Sequence, residues 1–239
     1  MRDRLVPQGD PEDDEDDRLW PTLIGLGVAA AAFTATFGGP RPKFWSRMTW
    51  TALTLGGFAF GTSREARKTR IRGRDVPLGL ASAGTLYLTF KLGDRFARRF
   101  VPAGDREIRE IYSLRTIRPR EEIALRLATV IGPAEEVFWR GLVQGGLERR
   151  FGRWPGAALA TASYGGVHLV ARNFTLLGAA GVAGLHWSLL RALRMPLGAL
   201  IVSHVAWDIW IFLVQPTGET ELESDGAAPE ETSLAPSAP

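Results

Sequence analysis

The chain has 239 residues, 29 Lys and Arg against 26 Asp and Glu, a formal net charge of +3 and no cysteine. The missing cysteine excludes disulfides, thiolate metal ligands and a cysteine nucleophile. A mean hydropathy of −0.03 hides an uneven distribution: charged loops and tails dilute long apolar runs that read as membrane spans, not as one or two soluble domains.

Residues 1–20 crowd Asp10, Glu12, Asp13, Asp14, Glu15, Asp16 and Asp17 together. Such a segment cannot bury a core and lacks the basic start of a secretory signal. It reads as a disordered acidic tail, and the run behind it as a retained span. Apolar runs follow from Pro21 to Gly39, Trp45 to Gly61 and Val76 to Gly93. Several fall short of the ~20 residues that cross a ~30 Å hydrocarbon core, so flanking Trp, Arg and Lys are expected to anchor their ends. Arg64, Arg67, Lys68, Arg70, Arg72 and Arg74 lie between the second and third runs and fit anionic lipid headgroups. No aromatic residues are interleaved with this charge, which argues against a nucleic-acid partner.

The stretch from Lys91 to Arg120 carries nine basic residues and would lie outside with seven spans, unless Asp105 to Arg118 is an amphipathic helix lying on the membrane or the span count is off by one. A helix of mixed surface then runs from about Arg120 to Arg150. Further apolar runs extend from Trp154 to Val170, Phe174 to Leu193 and Pro196 to Val214. From Glu219 onward there are six acids and no base, a second acidic tail. The expected fold is all-α, a polytopic transmembrane helical bundle of about seven spans, multi-pass in the cell membrane. Its segments are tail 1–20, membrane helices and basic loops 21–119, a helical core 120–215 and tail 216–239. The basic loops fall on both sides of such a bundle, so they leave its orientation open.

Ionisable residues within membrane segments are costly, which makes them functional candidates. Three groups occur, all in the core: Glu135, Glu136 and Arg140; then His168, one turn after Tyr164; then His204 with Asp208. At about 100° per residue Glu136 and Arg140 share a helix face and can form a structural ion pair, leaving Glu135 without that partner. A desolvated carboxylate without a close cation suits a general base acting on water. His204 and Asp208 share a face in the same way, so the acid can fix the imidazole tautomer or both can point into one polar cavity. Each group alone also fits a bland reading, as an interhelical ion pair or a packed histidine. His186, beside Trp187 and Arg191, fits a packing or headgroup role better than a third ligand. Gly141, Gly145, Gly146, Gly165 and Gly166 flank the first two groups and would let helices approach closely there.

The ordered set EExxxR (Glu135, Glu136, Arg140), aromatic-xxx-His (Tyr164, His168) and HxxxD (His204, Asp208) resembles the CPBP family of intramembrane proteases. That family includes the CAAX prenyl endopeptidases and proteins of bacteriocin self-immunity. The resemblance covers about residues 120–214, with Tyr164 where the family usually has Phe. It implies an endopeptidase acting on a membrane-associated protein or peptide, with membrane lipids as the other partner. Glu135 and His168 would activate water, and His204 and Asp208 would bind a metal or stabilise the oxyanion. Two imidazoles and a carboxylate (Glu135, His168, His204) could hold zinc with an open water position, whereas a metal-free glutamate protease would rely on base and hydrogen bonds; the sequence leaves both open. The rival readings are a non-catalytic membrane scaffold or bacteriocin-immunity-type protein, and a small transporter, against which stands the absence of a repeated half.

Overall fold

A computed structural model describes residues 19–100 and 104–216, so the acidic tails lie outside the described residues apart from Leu19, Trp20 and Pro216. The described residues are all-helical, without strands. In chain order the helices are α1 (Trp20–Phe37), α2 (Phe44–Thr62), α3 (Arg64–Lys68), α4 (Asp75–Phe100), α5 (Gly104–Tyr112), α6 (residues 120–151), α7 (Arg153–Val167), α8 (Phe174–Ala192) and α9 (Leu197–Val214). By length and composition, α1 and α9 are apolar enough to cross a membrane.

Local sequence explains where several of these helices begin and end. Pro21 occupies the first turn of α1, where its missing N–H costs nothing. Asn173 caps α8, its Oδ1 accepting from Leu176 N at 2.7 Å. Between α6 and α7 the chain reverses at Gly152 with φ of +89°, a conformation that favours glycine.

Helix α6 is not a uniform α-helix. Residues Leu127–Ile131 and Val137–Gln144 are π-helical, and the Gly132 N–H reaches back to the Leu127 carbonyl. Pro133 has no N–H to give the preceding turn, so the local ladder shifts register there. The α-helical stretch between the two π segments is Gly132–Glu136, which carries both glutamates.

Beside an apolar core that includes Phe33, Leu55, Phe138 and Trp139, small polar residues are buried and large apolar ones exposed. Thr22, Thr36, Thr51, Ser82, Gln144, Ser188 and Ser203 are buried, while Trp50, Leu88, Leu92 and Leu193 are each more than 60% exposed. Buried hydroxyls find partners across helices: Thr36 and Thr51 are hydrogen-bonded at 2.8 Å between α1 and α2. Small polar contacts inside and large apolar side chains outside are what a bundle packed in lipid requires.

Helix α5 covers part of the bundle. The Glu107 carboxylate accepts from Thr175 N at 2.8 Å and from Thr175 Oγ1 at 2.7 Å, which ties α5 to the first turn of α8. Asn173 Nδ2 donates to the Glu107 carbonyl at 3.2 Å, and Asp105 pairs with Arg98 of α4. Burial raises the Glu107 pKa, but the hydrogen bonds from Thr175 outweigh it and hold the carboxyl below its usual range.

Candidate active site

Helices α6, α7 and α9 bring their ionisable residues to one place. Glu135, Tyr164, His168, His204 and Asp208 all line a single cavity of about 650 Å³. Its remaining wall is largely apolar, with Phe37, Phe44, Trp45, Phe90, Ile108 and Phe212 among its members. Glu135 and His204 are 4% and 3% exposed, so the polar groups lie deep within it.

The ion pair expected from the i, i+4 spacing is present. Arg140 Nη1 donates to Glu136 Oε1 at 3.1 Å, both side chains being almost completely buried. The same Oε1 lies 2.7 Å from His204 Nδ1, a contact across 68 residues that sequence spacing could not show. An ionised Glu136 can only accept, so Nδ1 carries the proton and the ring is held from behind. His204 Nε2 is 3.4 Å from Asp208 Oδ2. Beneath the ring, Trp187 stacks at 4.1 Å between centroids and 16° between planes, and its own N–H is held by Ser203 Oγ at 3.0 Å.

Arg140 is therefore shared. Beyond Glu136 it reaches the Gly184 carbonyl at 3.4 Å and lies 4.7 Å from the Tyr164 ring and 5.2 Å from the Trp187 ring. Such cation–π contacts help a guanidinium tolerate an interior without water.

His168 ends α7. Its Nδ1 lies 2.8 Å from the Tyr164 carbonyl, which can only accept. Nδ1 is then the protonated nitrogen, and the lone pair is on Nε2. Phe33 of α1 packs edge-on to the imidazole at 5.1 Å, fixing the ring plane.

Some expected features are placed elsewhere. His186 does not line the cavity; its Nε2 is 2.9 Å from Ser82 Oγ, and Ser82 is in turn 2.8 Å from Ser203. Trp187 is fully buried and supports His204 by stacking on its ring. Of the glycines flanking the motifs, Gly146 sits where a Cβ would run into Thr22 Oγ1 of α1, and Gly141 where one would meet Leu197 Cδ2 of α9 at 3.1 Å. Two further glycines beside the site do the same. A Cβ on Gly184 would meet Tyr164 Cδ1 at 2.9 Å and one on Gly132 would meet Val205 Cγ2 at 2.8 Å, whereas Gly166 faces open space. Sequence reading missed Ser82, Trp187 and Ser203, which resemble ordinary span residues until the fold brings them behind His204.

A zinc ion requires three protein ligands converging with an open fourth position. Among the described residues no group of three or more His, Cys, Asp or Glu is arranged to hold a metal ion. His204 Nδ1 and His168 Nδ1 are both held by protein acceptors, which leaves Nε2 as the nitrogen each ring can turn toward a water or a metal ion.

Residues 122–210 match the family model for Rce1-like proteins, described as type II CAAX prenyl endopeptidase Rce1-like. The matched segment contains all of Glu135, Glu136, Arg140, Tyr164, His168, His204 and Asp208, and it supports the CPBP/CAAX protease family, which is membrane-embedded. No curated protein and no solved structure matches the chain.

Proposed function

We propose that the protein is a multi-pass intramembrane endopeptidase that hydrolyses a peptide bond of a membrane-associated protein or peptide, with Glu135 and His168 activating the water. The single observation that carries this reading is the convergence of Glu135, His168, His204 and Asp208, from three separate helices, on one mostly apolar cavity. An apolar chain segment with one polar amide fits such a lining.

In the proposed reaction a cavity water is polarised between the Glu135 carboxylate and His168 Nε2. Its oxygen attacks the scissile carbonyl carbon as Glu135 takes the proton. His204, with Asp208, faces the oxygen on which charge develops. Collapse of the tetrahedral species breaks the C–N bond, and the proton held by Glu135 passes to the leaving amine. One water is consumed and one carboxyl and one amine are formed. In a low-dielectric cavity each of these preorganised interactions is stronger than it would be in water. The arrangement needs no metal for these steps.

The test is a quenched peptide ending in a CaaX sequence, with and without farnesyl on its cysteine, offered to purified protein in lipid. Cleavage is expected for wild type and is expected to fall by about 10²-fold or more in His168→Ala. Chelation with 1,10-phenanthroline is expected to leave the rate unchanged. Loss of cleavage on chelation, restored by zinc, would reject the metal-free route. Full activity in His168→Ala would reject the assignment of His168. The two peptides separate a need for the lipid from a need for the sequence alone.

A further inference from the structure

The Tyr164 hydroxyl has no part in the hydrolysis as written, yet it is the group the structure places against Glu135. Its Oη donates to Glu135 Oε2 at 3.3 Å. The phenol is 6% exposed, and a buried hydroxyl needs an acceptor. At 3.3 Å the bond is long for O–H···O and is expected to tighten when water and substrate fill the cavity.

The ring cannot easily carry that hydroxyl elsewhere. Trp139 packs on it edge-on at 5.3 Å and 88°, the Arg140 guanidinium lies 4.7 Å from its centroid, and α8 approaches so closely that position 184 has no room for a Cβ beside Cδ1. A glutamate side chain has three rotatable torsions, and this one ends in a cavity walled mostly by apolar groups that give it no hold. Meanwhile the backbone carbonyl of Tyr164 fixes the tautomer of His168 through Nδ1. One residue thus touches both water-facing groups, the acid through its side chain and the imidazole through its main chain.

The geometry points to Tyr164 as a positioning residue, whose hydroxyl holds one oxygen of the Glu135 carboxylate and leaves the other free to take the proton from water. This rests on the reading of Glu135 as the base. It assigns the hydroxyl a role that packing alone would not need, since phenylalanine would fill the same space.

Tyr164→Phe keeps the ring and deletes only the donor. With the farnesylated quenched peptide, kcat is expected to fall about tenfold while KM stays within about twofold, the pattern of a lost transition-state contact. In a Glu135→Gln background the same substitution is expected to change nothing further, because the group it holds is gone. A second measurement does not need turnover. In isotope-edited infrared spectra of protein with ¹³C-carboxyl glutamate, the carboxylate band that disappears in Glu135→Gln is expected to shift in Tyr164→Phe.

An unshifted band overturns the proposal whatever the activity. A shifted band with unchanged kcat also overturns it, since the hydrogen bond would then exist without positioning the base. If wild type cleaves and Glu135→Gln is fully active, the base assignment fails and with it the positioning role. If wild type cleaves no peptide, the proposed hydrolysis fails and the band alone decides whether the hydroxyl holds the carboxylate.

Discussion

Glu136 Oε1 lies 3.1 Å from Arg140 and 2.7 Å from His204, so one buried oxygen neutralises a guanidinium and aims an imidazole. Losing that oxygen's charge leaves Arg140 buried without compensation, which typically costs about 3–5 kcal/mol. Glu136→Gln is therefore expected to lower the thermal midpoint in detergent and to lose activity together with yield. Unchanged melting would mean that the pair carries no such load. Glu135, by contrast, has only the Tyr164 hydroxyl as hydrogen-bond donor among the described residues, and Glu135→Gln is expected to melt within a few degrees of wild type. The i, i+4 spacing made the Glu136–Arg140 pair legible from sequence, as well as His204 with Asp208. The second contact of Glu136 was not legible, because spacing along one helix says nothing about which distant helix faces it.

Among the secondary-structure elements, α5 is attached through a titratable group near the surface. The Glu107 carboxyl has a lowered pKa in the folded protein, so the stability it contributes is present above the ordinary unfolded carboxylate value of ~4.3 and is lost as pH falls through the lower folded value. The chain has no cysteine, so a single nitroxide can be placed through Arg106→Cys, at a side chain that is 71% exposed. The label is expected to report the same α5 mobility at pH 7 and pH 5, and greater mobility only below about pH 4. Glu107→Gln is expected to mobilise it at neutral pH. Equal mobility in that variant would show that Thr175 does not hold the helix through Glu107. The sequence offered an amphipathic helix from Asp105 to Arg118 as one of two alternatives, and a helix and the turn after it run through Gly104–Tyr112 and Ser113–Thr116. It also anticipated a helix from about Arg120 to Arg150. The π segments within that helix were invisible, since a shift in hydrogen-bond register leaves no mark on apolar periodicity.

Among the described residues several small polar groups are buried and many large apolar side chains are exposed, a surface that suits the proposed multi-pass bundle. Apolar runs marked α1, α2, α4, α7, α8 and α9 in the sequence, although among the described residues only α1 and α9 meet the length and apolarity of a span by themselves. Orientation was not legible because basic residues occupy the loops at both ends. The ion pair of Glu65 with Arg191 joins the α3 loop to the end of α8, while Arg41 reaches the Glu110 carbonyl at 3.1 Å at the opposite end. Single cysteines at Lys68 and Arg118 are accordingly expected to react with an impermeant maleimide from opposite faces of sealed vesicles. Labelling of both from one face would remove the proposed multi-pass arrangement.

The central claim is that a buried carboxylate on α6 takes the proton from a water held in the shared cavity. Its most direct measurement is single-turnover cleavage of the farnesylated peptide by Glu135→Gln in lipid, beside a melting curve that shows the variant folded. Glutamine keeps the shape of glutamate but cannot accept the proton, so the cleavage rate is expected to drop by about 10²–10⁴-fold with the melt preserved. A folded Glu135→Gln protein that cleaves at the wild-type rate would contradict the account.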